Sequence, residues 1–205
     1  MTARAVDAVV FDLGGVLIDW NPRHLYRELF DDDTEMERFL ADICTLEWHV
    51  AHDRGEGTEA SCVALAERHP DHAPLIMAWS QRSEDMVRGE LAETVEILAE
   101  LKRDGVPLFV LSNMEPETFP RRVERFDFLS WFDGYVISGL EGVVKPEPQI
   151  FELLLQRFAL DATRTVFIDD STVNVDAAIA SGLRAIHFTS PAQLRHELEA
   201  LGLLR

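Results

Sequence analysis

The chain has 205 residues, 47% of them hydrophobic and 27% charged, which suits one large domain or one domain with a smaller insert and excludes wholesale disorder. Asp and Glu number 37 against 19 Lys and Arg, a formal charge of −18, so the mean field repels phosphate backbones and makes nucleic acid and anionic membranes poor partners. A small anionic substrate meets the same repulsion and needs a pocket made locally cationic by a metal, Lys or Arg.

The first seven residues reach Asp7 before any apolar run develops, and no uncharged stretch approaches a membrane span, so neither leader nor span is expected. Ala8 to Leu13 (AVVFDL) is a β-type run interrupted by one acid and closed by Gly14-Gly15, and it predicts a buried strand. Residues 19–88 then offer helical patterning, several aromatics and no convincing strand, which predicts a helical insert. Within it, Asp31-Asp32-Asp33-Thr34 reads as a helix start with acids at the positive end of the dipole, in preference to a calcium loop. Thr58 reads as the cap of another helix. Cys44 and Cys62 have no CxxC or zinc-ligand spacing and read as separate buried thiols, which points to a reducing cytoplasm.

Beyond residue 88 the pattern alternates. Helical stretches at 91–102, 148–158, 174–180 and 191–201 separate strand-like runs at Pro107–Ser112, Gly134–Ser138, Thr165–Ile168 and Arg184–Phe188. Continuous apolarity in these runs suggests a parallel sheet covered on both faces, an α/β fold.

Three of the predicted strands end in polar residues: Asp12 after the first, Ser112-Asn113 after the second and Asp169-Asp170 after the fourth. Ligands of open parallel sheets bind beyond the carboxyl ends of the strands, so these groups are expected to converge. Lys145-Pro146 opens a helix and brings a cation to the same rim. The set suits phosphoryl transfer, with Asp12 as carboxylate nucleophile, Asp169-Asp170 as hard oxygen ligands for Mg²⁺, and Ser112 and turn amides as donors to phosphate oxygens. Lys145 neutralises the clustered acids, which meets the need for local positive charge.

Four motifs in order, VVFDLGGVL around Asp12, VLSN around Ser112, KPEPQIF from Lys145 and FIDDSTVNVDAA around Asp169-Asp170, resemble the haloacid dehalogenase-like hydrolase superfamily over roughly residues 8 to 188. The resemblance implies a Rossmann-like core, here residues 1–18 and 89–205, and a small helical cap, here residues 19–88. It also implies, in the family's phosphatases, an aspartyl-phosphate intermediate. By motif position Asp12 would be nucleophile and metal ligand, the Gly14 carbonyl a second ligand and Asp170 a third, with Asp169 a ligand or its neighbour. Leu13, Gly14 and Asn113 would contact substrate. The resemblance also places a cap loop at His49–Gly55 over the site, where Arg54 beside Gly55 suits contact with an anion.

One departure stands out. Most members of the superfamily carry a second Asp two positions after the nucleophile, which protonates the leaving oxygen and later activates water; here that residue is Gly14. A branch similar to sugar 1-phosphate phosphatases, with the opening FDLG, also lacks it. The expected activity is Mg²⁺-dependent hydrolysis of a small phosphorylated metabolite, with a sugar phosphate one option and His49, His52 or Asp53 the candidates for the missing acid. The alternatives are a 2-haloacid dehalogenase, which paired metal ligands argue against, a receiver-like phospho-accepting domain, whose motif order differs, and a catalytically weak phosphate-binding protein. Nothing in the sequence sets the oligomeric state.

Overall fold

The computed structural model describes residues 6–204; residues 1–5, part of the expected core segment and of the leader reading, and Arg205 lie outside the described residues. β1 (Ala8–Phe11) is followed by the short β2 (Ile18–Trp20) and five helices, α1 (Pro22–Tyr26), α2 (Asp33–Asp42), α3 (Leu46–Asp53), α4 (Thr58–Arg68) and α5 (Ala73–Gln81), and β3 (Val87–Glu90) brings the chain back. Then come α6 (Ala92–Arg103), β4 (Leu108–Ser112), α7 (Thr118–Arg125), β5 (Gly134–Ile137), α8 (Ser138–Glu141) and α9 (Pro148–Arg157). β6 (Thr165–Asp169), α10 (Thr172–Ala180), β7 (Arg184–His187) and α11 (Pro191–Ala200) complete the chain.

Five strands form a parallel sheet in the order β5-β4-β1-β6-β7. β1, β4 and β6 are buried along their whole length, as their unbroken apolar runs require. Side chains alternate between two cores. Val9, Phe11, Val110 and Ile168 pack with Ile97, Leu98 and Leu101 of α6 and Leu194 and Leu198 of α11 on one face. Val10, Phe109, Leu111 and Phe167 pack with Ile150, Phe151 and Leu154 of α9 and Ala178 of α10 on the other.

A third cluster has all its fully buried members between Leu25 and Met86, including Tyr26, Phe39, Ile76 and Trp79. The insert therefore buries apolar surface of its own rather than borrowing the sheet's. Both cysteines lie in it, buried and free. Asp32 accepts the Glu35 N–H at 2.9 Å, so the acidic run does cap α2. At α4 the cap is Gly57, and Thr58 is the first helical residue instead of the cap.

The expectation of no strand in residues 19–88 needs correction. β2 and β3 straddle the two ends of the insert and pair antiparallel, with Ile18 opposite Glu90 and Asp19 opposite Gly89. Asn21 N–H donates to Met86 O and Leu91 N–H to Leu17 O, both at 2.8 Å, so the two connections are zipped together. Three and four residues are too few for an alternating pattern to show in sequence. Among the described residues no helix is long and apolar enough to cross a membrane.

Candidate active site

β1 has β4 on one side and β6 on the other, so the chain departs in opposite directions from its carboxyl end and leaves a crevice there. Asp12 sits at that end, its N–H on Ile168 O at 2.9 Å and its Oδ1 accepting the Leu13 N–H at 2.7 Å. Ser112 ends β4 and is buried. Asp169 ends β6, with Asp170 exposed just beyond it.

Lys145 joins these loops. It is 3% exposed, with Nζ 2.6 Å from Asp169 Oδ2 and 3.0 Å from Asp12 Oδ1. Asn113 holds the lysine's backbone from both sides, its Oδ1 accepting the Lys145 N–H at 2.8 Å and its Nδ2 donating to Lys145 O at 3.0 Å. Asp169 also accepts from Ser171 N–H at 2.8 Å and from Asn174 Nδ2 at 3.0 and 3.1 Å, so its carboxylate is fully engaged.

Burial pushes the Asp12 carboxyl up to about 7, against the pull of Lys145 toward the ionised form. Desolvation opposes charge on Lys145, but Asp12 and Asp169 outweigh it and hold the ammonium above its ordinary value. Burial, with Asp169 next to it, also raises Asp170. Three carboxylates share one ammonium here, so the cluster is short of positive charge.

Oxygens of Asp12, Asp169 and Asp170 all lie within 4.8 Å of one another. Hard, anionic, mainly carboxylate donors suit Mg²⁺. Gly15 lets Asp170 into the group: its φ is +72°, and a Cβ there would fall 2.2 Å from Asp170 Oδ2. The residues present thus fit a divalent cation.

A cavity of about 570 Å³ opens over this rim. Asp12, Gly14, Ser112, Asn113, Lys145 and Asp170 form its floor; Trp20, Leu46, His49, Val50, Asp53 and Trp79 face them from β2 and the insert. His49 stacks on Trp20 with centroids 5.2 Å apart and planes at 15°, and also packs on Trp79. Leu46 is 77% exposed and Val173, on α10, is 60% exposed, so two large apolar side chains stand at the cavity wall.

Two expected substrate contacts are placed elsewhere. The Arg54 guanidinium is outside the cavity lining and forms a two-pronged pair with Glu147, at 2.7 and 3.1 Å. The Leu13 side chain is fully buried in the sheet core, leaving only its backbone near Asp12. The aromatic wall of Trp20 and Trp79 carries no motif and was readable only as packing. His52 is buried outside the cavity lining, neither ring nitrogen makes a hydrogen bond among the described residues, Nδ1 lies 3.9 Å from Glu115 Oε1, and burial lowers the imidazole to about 4.

The description that matches residues 6–182 is that of the haloacid dehalogenase-like hydrolases. In sequence the chain is 30% identical over 195 residues to a sesquiterpene phosphatase of Aspergillus oryzae, covering 95% of both chains. It is 23% identical to a phosphorylated carbohydrates phosphatase of Thermotoga maritima, over 89% of this chain and 84% of that one. In structure it is similar to a HAD family enzyme of Bacteroides thetaiotaomicron, with a TM-score of 0.70 and 18% identity over 95% and 99% of the two chains. That enzyme has also been crystallised with magnesium and inorganic phosphate. An L-2-haloacid dehalogenase of Xanthobacter autotrophicus has a TM-score of 0.66 at 18% identity, over 95% of this chain and 83% of that one.

Proposed function

The chain belongs to the haloacid dehalogenase-like hydrolases, as a phosphoric monoester hydrolase with a Rossmann-like core, and from that premise we propose that it is a Mg²⁺-dependent phosphatase whose substrate is a phosphate monoester of a hydrophobic alcohol. The observation that carries the reading is the buried Lys145 bridging Asp12 and Asp169 on the floor of a cavity across which Trp20, Leu46, Val50 and Trp79 supply a large apolar surface.

Residues 19–88 act as the cap and residues 1–18 with 89–205 as the catalytic core. Asp12, the Gly14 carbonyl and Asp170 hold Mg²⁺, while Asp169, saturated by Lys145, Asn174 and Ser171, orients the lysine and the loop. When bound, the cation supplies charge to offset the phosphate and the clustered carboxylates. Asp12 attacks phosphorus and forms an aspartyl phosphate. The Ser112 hydroxyl and the backbone N–H of Gly14 bind phosphate oxygens, the Leu13 N–H holds the Asp12 carboxylate, Lys145 neutralises the phosphate, and Asn113 fixes Lys145. Arg54 fastens the cap to the loop after Lys145.

Trp20, Trp79, Leu46 and Val50 suit a hydrocarbon, while two of the polar side chains beside them, Arg23 and Arg122, are held by Glu37 and Glu84. The name of the Aspergillus relative points the same way. Two free buried thiols support a cytoplasmic site of action.

The test is phosphate release by enzyme stripped of metal and then given Mg²⁺, on isoprenoid and alkyl phosphates beside sugar phosphates, with chloride release from 2-haloacids measured in parallel. Each buried CH₂ contributes ~0.8 kcal/mol, so two extra methylenes are expected to raise kcat/KM about tenfold. Full activity after verified metal removal, better turnover of sugar phosphates, or chloride release without phosphate release would each defeat a stated part of the reading.

A further inference from the structure

Hydrolysis of an alkyl phosphate needs a proton for a poor leaving oxygen, and Gly14 has no side chain to give one. The remaining titratable groups on the cavity wall can be sorted by chemistry. Arg23 and Arg122 are held by Glu37 and Glu84 and do not release protons. Burial drives His49 below its ordinary value, so its imidazole carries no proton to spare at neutral pH. Glu115 is engaged by Thr118 Oγ1 at 2.8 Å. Asp53 is left.

Resting on the phosphatase reading above, we propose that Asp53, presented by the last residue of α3, is the proton donor of the first step and the base of the second. The turn that carries it is fastened to the core at three points. Ser138 Oγ donates to the Asp53 carbonyl at 2.5 Å and accepts the Met114 N–H at 2.9 Å. Arg54 grips Glu147, two residues beyond Lys145. Gly55 lies so close to the Gly139 carbonyl that a Cβ there would come within 2.8 Å of its oxygen. Asp53 is thus a fixed part of the cavity wall that faces Asp12 and Lys145.

Its side chain has the right proton state. The carboxyl is 9% exposed, and His49 Nε2 lies 3.5 Å from it. Burial raises it to about 7, Glu115 across the loop after β4 adds to the rise, and Lys145 opposes it. A carboxylic acid that titrates near neutrality serves as acid in one step and base in the next.

The atoms balance. Asp12 forms a bond to phosphorus, the phosphorus–oxygen bond to the alcohol breaks, and the electron pair left on oxygen takes the Asp53 proton, so the product leaves as a neutral alcohol. The Asp53 carboxylate then takes a proton from water as that water's oxygen attacks phosphorus. The bond to Asp12 breaks, inorganic phosphate leaves, and both carboxyl groups are restored.

The experiment is kcat and kcat/KM with Mg²⁺ across phosphate esters from 4-nitrophenyl to primary alkyl, for wild type, Asp53→Asn and Asp53→Glu. Wild type is expected to depend shallowly on leaving-group pKa. Asp53→Asn should lose ~10²-fold to 10⁴-fold in kcat/KM on alkyl esters. It should keep kcat/KM on 4-nitrophenyl phosphate within a few-fold while kcat falls, because breakdown of the phosphoenzyme loses its base, and a burst of nitrophenol should emerge. Asp53→Glu should restore part of the shallow dependence. A steep dependence in wild type overturns the proposal without any variant, and so does an equal loss on all esters or no loss in Asp53→Asn. Absence of phosphate release by wild type from every ester, or normal turnover by Asp12→Asn, overturns the phosphatase reading beneath it, an outcome distinct from the other three.

Discussion

The two walls of the cavity are built on opposite electrostatic plans. On the sheet side, Asp12, Asp169 and Lys145 are buried in mutual contact at 2.6 to 3.0 Å and hydrogen-bonded further by backbone and Asn174, so that Lys145 pulls Asp12 toward the ionised form against the burial that raises it to about 7. On the insert side, His49, His52 and Asp53 are buried with little compensation, and desolvation pushes the imidazoles down and the carboxyl up, so all three favour their neutral forms. One wall stores charge and the other excludes it. The proposed phosphatase would place phosphate on the first and the organic group on the second, with proton transfer where they meet.

Breaking the charged wall should have the largest effect. Lys145→Ala leaves two buried carboxylates facing each other without their cation, a type of loss that costs about 3–5 kcal/mol. Its phosphatase activity should be undetectable even with saturating Mg²⁺, and its denaturation midpoint should fall sharply. A variant with native midpoint and turnover would show that Asp12 and Asp169 are not held as an ionised pair.

The neutral wall makes the opposite forecast. A carboxyl raised in the folded state to about 7 binds a proton that the unfolded chain has released above the ordinary carboxyl value of 3.8. The group therefore costs stability increasingly as pH rises from about 4 to 7, and by a constant amount above. Asp53→Asn, which cannot ionise, should then be more stable than wild type by about 4 kcal/mol at pH 8 and by almost nothing at pH 4, while it loses alkyl phosphatase activity. Urea denaturation at the two pH values checks this. Equal stabilities at pH 8 would mean that the Asp53 carboxylate is well solvated or paired.

The charged wall was legible in sequence for the same reason that it works. Asp12, Ser112 and Asp169-Asp170 are polar residues at the ends of apolar runs that the sheet topology forces together, and Lys145 comes from the loop before α9 on the same rim. Helix and strand positions in the core followed from runs long enough to show a period. The neutral wall had no such signal. Trp20 and Trp79 are 59 positions apart by number and meet across His49 only in three dimensions. Asp53 was one of three adjacent candidates until burial and cavity lining separated it from His52. The β2–β3 ribbon was hidden because its pairing is long-range and its strands are short.

Arg54 is where the two walls are joined, and its variant should have the smallest effect. Its position beside Gly55 suggests an anion contact, and in this structure its guanidinium pairs with Glu147, with side chains 37% and 35% exposed. A pair that open contributes about 0–1 kcal/mol. Arg54→Ala should accordingly lower stability by less than about 1 kcal/mol. Inhibition by inorganic phosphate reads phosphate affinity directly, and it should be unchanged, because no phosphate contact is removed. Glu147→Gln should give the same small loss, and the double variant no more than either single, since both act through one pair. If Arg54→Ala instead weakens phosphate inhibition tenfold while Glu147→Gln does not, the arginine swings from Glu147 to the phosphate during turnover. The joint would then belong to the charged wall.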